Sequence, residues 1–337
     1  MRKGVLFFFG ILFFLSLFFL PLEGRALAAP YYQGKTIVLL VGTNPGGGYD
    51  NAARIVAKYL PKYIPGKPVV IVQNMPGAGH VIAANYIYNI AKPDGLTIGT
   101  YNRGLPFAQL TKVKGVKFDL KKYAWIGSMA VEPTVFFVRA DLPYKNVDDL
   151  KKAKEPIVVA SEGLGTTGYQ FPMLLKEFAG INLKIINYLT GADSRLALER
   201  KEADARAGSY SSTKPWVERG VLRPILRGSV SEPDIKNLPV DQDLTTDKKG
   251  KTIMAMLSSV DKIGRPFMCP PGTPANVMSI LRDAFAKAAK DAELQEQGKK
   301  AGMTIDYSGP DECMKIVNFV LDQPDEIVKD FNKYVSF

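Results

Sequence analysis

The first part of the chain alternates short apolar runs with segments of helical spacing. Residues 36–41 (TIVLLV) and 69–72 (VVIV) are apolar, β-branched runs with the length of buried strands, and a glycine-containing turn follows each. Residues 51–60 and 80–91 then repeat apolar side chains at the spacing of an amphipathic helix. A third strand is predicted at 97–101. This order of strand, turn and helix predicts parallel βαβ units and an open α/β sheet.

A second α/β run begins at residue 133. The predicted strands are 133–140, 157–160, 184–189 and 265–269, and the predicted helices are 147–153, a helix ending at 178, 193–201 and 274–290. A chain of 337 residues is long enough for two domains with separate cores. The pattern therefore predicts two α/β lobes joined by more than one short crossing of the chain.

The N-terminus has the order of features found in secretory signal peptides. Arg2 and Lys3 precede an apolar run over residues 4–20, and the small residues 26–29 (ALAA) supply an A-x-A cleavage signal. We therefore expect a signal peptide over residues 1–28, cleaved after Ala28. Because the apolar run approaches the length of a membrane span, a single uncleaved anchor is the alternative.

The net charge of the chain and the distribution of its basic residues indicate which classes of binding partner to expect. Lysine and arginine number 44 against 33 aspartate and glutamate residues, which gives a net charge of +11. These basic residues are dispersed, and they form no arginine-rich arm and no basic stripe interleaved with aromatic residues. The sequence therefore does not indicate a nucleic-acid-binding protein. A general attraction for small anions fits this charge better.

Catalytic and metal-binding motifs are absent from the sequence. His80 is the only histidine, and there is no nucleophile motif, Walker loop or metal-loop spacing. We therefore expect a protein that is not an enzyme and holds no metal, with an exported enzyme on the same fold as an unfavoured alternative. Cys269 and Cys313 are the only cysteines, and they are either a disulfide or two buried thiols.

One motif points to a nucleotide cofactor but lacks a required partner. Gly163, Gly165 and Gly168 follow a predicted strand and precede a predicted helix, as in a dinucleotide fingerprint. Such a site also needs an acidic residue about 20 positions later, at the end of the next strand. The nearest acid, Asp193, lies beyond Gly191 at the following helix. No cofactor is therefore predicted.

Three turns that lead from a strand into a helix are better candidates for a ligand site. They lie at residues 42–50, 74–80 and 161–168 and are rich in glycine, asparagine, serine and threonine. The first turn of a helix carries unpaired backbone N–H groups and a partial positive charge, and glycine lets an anion approach the backbone closely. Ligands of open α/β sheets collect at the carboxyl ends of the strands. The three turns therefore predict a site for a carboxylate or a phosphate.

Several segments resemble motifs of the tripartite tricarboxylate transporter receptors, the Bug-type periplasmic solute-binding proteins. The similar segments are 44–50 (NPGGGYD) with Arg54, for P-G-G-x-x-D-x-x-x-R; 74–79 (NMPGAG), for N-x-P-G-A-G; 93–97 (PDGLT), for P-D-G-x-T; 161–167, for S-x-G-x-G-S-S; 203–204, for the end of G-x-x-D; and 265–274 (RPFMCPPGTP), for the segment that returns to the first domain. They span nearly the whole chain after the signal peptide, in the order of the family.

The resemblance implies an α/β protein with the type II periplasmic-binding-protein fold, in which two domains close over a ligand cleft. The implied first domain combines residues 29–135 and 268–337, and the second covers residues 136–267. The implied function is that of a monomeric receptor in the periplasm. It would capture a small organic acid and deliver it to the membrane permease subunits of a tripartite tricarboxylate-type transporter. A protein that presents its ligand to a histidine-kinase ectodomain is the alternative.

The resemblance also implies a set of ligand-binding residues. Backbone amides and hydroxyls of the first-domain turns would hold the ligand carboxylate, and the second domain would close over its far end. The implied residues are Asn44, Gly47, Gly48, Tyr49, Ala78, Gly79 and His80 in the first domain, with Ser161, Gly165, Thr166 and Thr167 facing them and Asp204 reading the far end. Asp50 and Arg54 are expected to cap and brace the first helix.

The chain departs from the family pattern beside the expected cleft. Thr43 and Asn44 stand where the family has an aromatic residue and a proline, His80 replaces a glycine, and Tyr169 replaces a histidine. The tyrosine–glycine motif before the next helix is lengthened in residues 188–191. Because these positions border the expected cleft, the identity of the acid is not inherited from a relative.

Overall fold

The computed structural model describes residues 29–188 and 191–334, and from Tyr32 onwards the chain forms one compact unit. The strands are β1 (Thr36–Val41), β2 (Val69–Asn74), β3 (Thr97–Thr100), β4 (Ala124–Ala130), β5 (Thr134–Arg139), β6 (Ile157–Ser161), β7 (Leu183–Asn187), β8 (Ala205–Ser209), β9 (Leu222–Arg227), β10 (Pro266–Cys269) and β11 (Ile305–Ser308). The predicted signal peptide lies outside the described residues.

The helices alternate with these strands through most of the chain. They are α1 (Gly48–Tyr59), α2 (Val81–Asn89), α3 (Leu105–Leu110), α4 (Val147–Lys151), α5 (Thr167–Phe178), α6 (Gly191–Glu199), α7 (Tyr210–Glu218), α8 (Lys248–Ser259), α9 (Ala275–Ala289), α10 (Ala292–Lys300), α11 (Pro310–Leu321) and α12 (Asp325–Tyr334). The alternation confirms the α/β class that the hydrophobic pattern predicts.

The first sheet has six strands in the order β11–β4–β10–β3–β1–β2. β1, β2 and β3 are parallel, and Val41 lies opposite Asn74 and Thr100 at their carboxyl ends. β10 inserts antiparallel between β3 and β4, so early and late segments of the chain share this sheet. Leu39 and Leu40 belong to different core clusters, since neighbouring residues of a strand face opposite sides of the sheet. This sheet and its helices form the first lobe.

The second sheet has five strands in the order β7–β6–β8–β5–β9 and, with its helices, forms the second lobe. β6 is parallel to β7 and β8, and β5 is antiparallel to β8. Because Thr134 lies opposite Ser209, the start of β5 and the end of β8 meet at one edge of the sheet. Ser161, at the end of β6, lies at the same edge. The residues after these ends are therefore placed for a ligand site.

Two short crossings connect the lobes. Residues 131–133 lead from β4 to β5, and residues 264–265 lead back into β10. The expected domain boundaries at 135/136 and 267/268 fall inside β5 and β10, just after these crossings, and the division into domains stays a prediction. The last helix contacts both lobes, because Phe331 packs on Phe107 and Tyr334 packs on Phe178.

The hydrophobic pattern misses four strands, namely β4, β8, β9 and β11. β8 (ARAGS) is made of small residues around one arginine, and β4 (AWIGSMA) is interrupted by Gly127 and Ser128. Both are almost wholly buried, so neither shows the alternation of a half-exposed strand. α1 also begins three residues before the predicted start, at Gly48.

The two cysteines are free thiols, which decides between the two alternatives that the sequence leaves open. Cys269 lies in β10 and Cys313 in α11, and both are buried. Burial raises the pKa of both thiols, that of Cys313 to about 12. Within the described ranges, no helix combines the length and the apolar composition needed to cross a membrane.

Candidate functional site

Three helices begin at the predicted turns, and no side chain caps any of them. α1 follows Gly47, α2 follows His80 and α5 follows Thr166, and none of these three N-cap residues accepts a hydrogen bond from its helix. The Thr166 hydroxyl instead donates to the Gly163 carbonyl oxygen, at 2.7 Å. Some first-turn N–H groups have backbone acceptors, because Val81 of α2 donates to the Ala78 carbonyl oxygen and Tyr169 of α5 donates to the Thr166 carbonyl oxygen. The positive end of each helix dipole lies at these turns.

The turn before α1 is held by one buried carboxylate. Asp50 accepts from the backbone N–H of Gly46 at 2.9 Å, from Arg54 at 2.8 Å and from the amide of Asn74 at 2.9 Å. The hydrogen bonds to this carboxylate lower its pKa even though burial, the largest effect, raises it. Asp50 and Arg54 thus brace the turn as predicted. The expected capping role was wrong, because the N-cap residue is Gly47.

His80 joins the second turn to the first. Its backbone is left-handed, with φ 78°, and its Nδ1 accepts from the backbone N–H of Asn102 at 3.2 Å. Its ring packs edge-on against Tyr49, with 5.0 Å between the centroids. Burial, with a smaller effect of Arg265, lowers the pKa of His80 to about 4. The ring is therefore neutral at pH 7 and carries its proton on Nε2, since Nδ1 is the acceptor.

A buried guanidinium lies beside these two turns. Arg265 stacks over the Tyr49 ring, with 4.5 Å from its Cζ to the ring centroid. A Cβ atom built on Gly48 would lie 2.7 Å from its Nη2. The same Nη2 is 2.9 Å from Oε1 of Glu132, which is fully buried in the crossing between the lobes. Glu132 in turn accepts from the Ser211 hydroxyl of the second lobe at 2.6 Å.

A second buried guanidinium connects the two lobes directly. Arg103 follows β3, and its backbone N–H donates to the Tyr49 hydroxyl at 2.9 Å. Its side chain donates to Ser209 at 3.3 Å and forms an ion pair with Asp261 at 3.0 Å. Asp261 also accepts from the backbone N–H of Thr134 at 2.8 Å. Burial raises the pKa of Asp261 to about 6, and the ion pair with Arg103 opposes that rise.

The second-lobe turn follows β6 and uses glycines where the backbone reverses. Gly163 and Gly165 have φ 98° and 78°, a region that favours glycine. The Ser161 hydroxyl accepts from the backbone N–H of Gly163 at 3.0 Å. Glu162 forms an ion pair with Arg206 of β8 at 3.1 Å and accepts from Ser194 of α6 at the same distance. The turn therefore carries the Glu162 carboxylate, which is paired with Arg206 of the neighbouring strand.

Asp204 lies away from the predicted site. It precedes β8, and its carboxylate accepts from the backbone N–H of Val158 at 3.0 Å, near the start of β6. Its other oxygen is 3.7 Å from Arg139 Nη1. Because β6 and β8 are parallel, this is the amino edge of the second sheet, opposite the edge where Ser161 ends β6. The structure therefore does not bring Asp204 to the turn that carries the other predicted second-lobe residues.

Apart from Asp204, the predicted residues fall into two groups, each on turns that follow the carboxyl ends of strands in one sheet. Asn44, Gly47, Gly48, Tyr49, Ala78, Gly79 and His80 lie on the first-lobe turns, and Ser161, Gly165, Thr166 and Thr167 lie on the second-lobe turn. Sequence reasoning missed six paired charged residues, of which Glu162 is partly exposed and the other five are buried, namely Arg103, Glu132, Arg206, Asp261 and Arg265. The sequence signal that could have indicated a buried charge is a charged residue inside a run of small or apolar residues, such as Arg206 in ARAGS.

Two surface cavities lie elsewhere and contain none of the predicted residues. One, of about 670 Å³, lies between α1 and α10, and the other, of about 640 Å³, lies between α7 and residues 295–305. In the part of the chain that the structure describes, no three histidine, cysteine, aspartate or glutamate side chains are grouped to hold a metal ion.

Comparison with known proteins gives one consistent family. A family model described as tripartite tricarboxylate transporter family receptor matches residues 52–333. A UPF0065 protein of Bordetella pertussis is 30% identical over 267 residues, which cover 77% of this chain and 78% of the relative. The structure of the periplasmic binding protein BugD superposes with a TM-score of 0.69 at 22% identity, covering 90% of this chain and 99% of BugD. MatC of Rhodopseudomonas palustris, solved with bound malate, has a TM-score of 0.65 at 17% identity, with 90% and 99% covered.

Proposed function

Because the chain belongs to the tripartite tricarboxylate transporter receptor family, we propose that it captures a small organic carboxylate between its lobes and delivers it to a membrane transporter of that type. The observation that carries the proposal is that three helices, distributed over the two sheets, begin after the carboxyl ends of strands without a side-chain cap. Each presents backbone donors and a positive dipole end, and these favour an anion. The malate bound to MatC supports the same class of ligand.

The proposed ligand carboxylate lies against the first-lobe turns. The backbone amides of Gly47, Gly48 and Tyr49 are its donors, with Ala78 and Gly79 on the adjoining turn. Micromolar affinity corresponds to about 8 kcal/mol. Charge-assisted hydrogen bonds contribute roughly 1.5–3 kcal/mol each, so a few of them suffice after the cost of association. Arg265 lies beside Gly48, where its charge is paired with that of Glu132.

The second lobe completes the proposed site by closing. Ser161, Gly165, Thr166 and Thr167 would approach the bound acid when the lobes rotate about the two crossings. Such a hinge motion is a shift between open and closed populations, and the ligand stabilises the closed one. The proposed domains are those that the sequence predicts, with Asp204 left out of the ligand site because it lies at the opposite sheet edge.

Export and the absence of catalysis belong to the same proposal. The signal sequence over residues 1–28 would direct the chain to the periplasm, where BugD is described as a binding protein. The protein would act as a monomer without turning over its ligand. Mass spectrometry of the chain recovered from the periplasm tests cleavage, with a mature N-terminus at Ala29 expected and an intact N-terminus contradicting it.

A thermal-shift screen tests the proposed ligand class. The purified chain from Ala29 onwards is heated with mono-, di- and tricarboxylates, aromatic acids, amino acids and nicotinamide nucleotides. A ligand that binds only the folded state increases the free energy of unfolding, by about 2.7 kcal/mol at 100 times its Kd. The melting temperature rises as a result. We expect a rise with one class of carboxylate. A rise with nicotinamide nucleotides alone would contradict the proposal and restore the dinucleotide interpretation of Gly163, Gly165 and Gly168.

A further inference from the structure

We infer that Arg206 is the residue that reads the far end of the bound acid and favours ligands with a second carboxylate. The inference rests on the proposed function and adds a specificity-determining residue to it. Arg206 lies in β8, opposite Ala160 of β6, so its side chain can reach the carboxyl edge of the second sheet. That edge carries the second-lobe turn of the proposed site.

The guanidinium of Arg206 is held at that edge by one partner. Its Nη2 lies 3.1 Å from Oε1 of Glu162, the first residue after β6. The same atom would lie 3.4 Å from a Cβ built on Gly208, so the guanidinium extends along the strand over this glycine. Glu162 itself lies against the first turn of α5, because its Oε2 would be 2.3 Å from a Cβ on Gly168. The charged pair therefore adjoins the uncapped start of α5.

Arg206 is short of hydrogen-bond acceptors. Its side chain is only 5% exposed, yet its Nε and Nη1 have no partner among the described residues. An arginine carries five N–H donors, and a buried charge is costly unless its donors are satisfied. Burial lowers the pKa of Arg206 and the neighbouring charge of Arg195 lowers it further, while Glu162 alone among the nearby charges opposes the change. A second acceptor group would complete the site.

An anionic acceptor fits this position better than a neutral one. Arg206 and Arg195 supply two positive charges against the single carboxylate of Glu162. A carboxylate oxygen accepts a charge-assisted hydrogen bond from a guanidinium N–H, and Nε and Nη1, which lie on different edges of the guanidinium, are the two donors left for it. The resulting preference is for a diacid whose second carboxylate reaches the second lobe when the lobes close.

Isothermal titration with matched ligands tests the inference. The probes are the α,ω-dicarboxylates from malonate to adipate and the monoamide of each, titrated into the wild-type chain from Ala29 and into Arg206→Gln. We expect wild type to bind the best diacid at least about tenfold more tightly than its monoamide, since a charge-assisted pair contributes roughly 10- to 100-fold in affinity. Arg206→Gln should remove this preference and change monoamide binding less than about threefold.

A second buried arginine of the same sheet supplies the control. Arg139 lies at the opposite edge, where it donates to the Ala203 carbonyl at 2.9 Å and pairs with Asp141. Arg139→Gln should lower the melting temperature without changing the preference for the diacid. Arg206→Lys keeps the charge and serves if the glutamine variant does not fold, and we expect it to keep a reduced preference.

The outcomes separate the inference from the proposed function. Equal binding of diacid and monoamide to wild type would overturn the role of Arg206 and leave a carboxylate receptor intact. An equal loss of affinity for the diacid and the monoamide in Arg206→Gln would mean that Arg206 has only a structural role, and would also overturn the inference. No binding of any acid in either series would contradict the proposed function itself.

Discussion

Replacing Gly47 by aspartate should abolish ligand binding while leaving the fold intact. Gly47 is the N-cap residue of α1, with φ −81° and ψ 168°, an extended conformation that any residue adopts. A Cβ at this position would have its nearest neighbours at 3.7 Å, an ordinary contact distance. Aspartate is also a favoured N-cap residue and differs from glycine by only a few tenths of a kcal/mol in helix stability. The free energy of unfolding should therefore hardly change.

The loss of binding follows from charge and from competition for donors. The new carboxylate would accept from the first-turn N–H groups of α1, the groups assigned to the ligand. Two unit charges roughly 4 Å apart repel by about 4 kcal/mol at an effective dielectric constant near 20. That repulsion corresponds to roughly a thousandfold in Kd, because each 1.4 kcal/mol is a factor of ten.

Isothermal titration of Gly47→Asp against Gly47→Asn measures this effect. Asparagine has the same shape and also caps the helix, so it lowers affinity only by the competition for donors, about tenfold. Melting temperatures of both variants check the fold. If Gly47→Asp binds the acid as well as Gly47→Asn does, the ligand carboxylate does not lie at the start of α1 and the proposed site is wrong.

Further predictions concern Gly48, His80 and the two cysteines. Gly48→Ala would push a Cβ against Arg265 Nη2 and disturb the stacking and the buried ion pair of that arginine, so the free energy of unfolding should fall by about 2–4 kcal/mol. Gly47→Ala, which has room for the methyl group, is the control. Equal melting temperatures of the two variants would contradict the clash. The single imidazole of the protein, His80, should titrate in NMR spectra near pH 4, and a midpoint near 6.5 would contradict its burial. Because its pKa is lowered on folding, His80 should cost stability as pH falls from about 6.5 towards 4, and a His80→Gln variant should lose that component. Cys269 and Cys313 should react with a thiol reagent only after unfolding, releasing two equivalents without a reductant, whereas zero equivalents would indicate a disulfide.

Much of the fold could be predicted because local signals and tertiary structure agree. β1 and β10 are apolar runs buried on both faces, and α9 carries a continuous apolar stripe that packs in the core. β4 and β8 were missed because neither is a continuous apolar run: Gly127 and Ser128 interrupt β4, and β8 consists of small residues around Arg206. Nothing in the sequence of such a strand distinguishes it from a loop without knowledge of its neighbours.

The candidate site was predictable in its turns but not in its charges. Glycine at 163 and 165 is a local signal, since the positive φ at both positions favours glycine. The ion pairs of Arg206 and Arg265 could not be predicted, because their partners, Glu162 and Glu132, are distant in the sequence. The motif that contains Asp204 can be recognised in the sequence. The position of Asp204 at the amino edge of the sheet depends on the pairing of β6 with β8 and could not be predicted from the motif.

The central claim is that the ligand carboxylate binds to the backbone at the uncapped helix starts of the first lobe. Backbone amide NMR of the ¹⁵N-labelled chain, titrated with the acid that most raises its melting temperature, tests this claim directly. We predict that the amide protons of Gly47, Gly48, Tyr49 and Gly79 shift downfield together with one Kd, as they donate to the carboxylate. Unchanged amides at these four residues, with shifts confined to the cavity between α1 and α10, would contradict it.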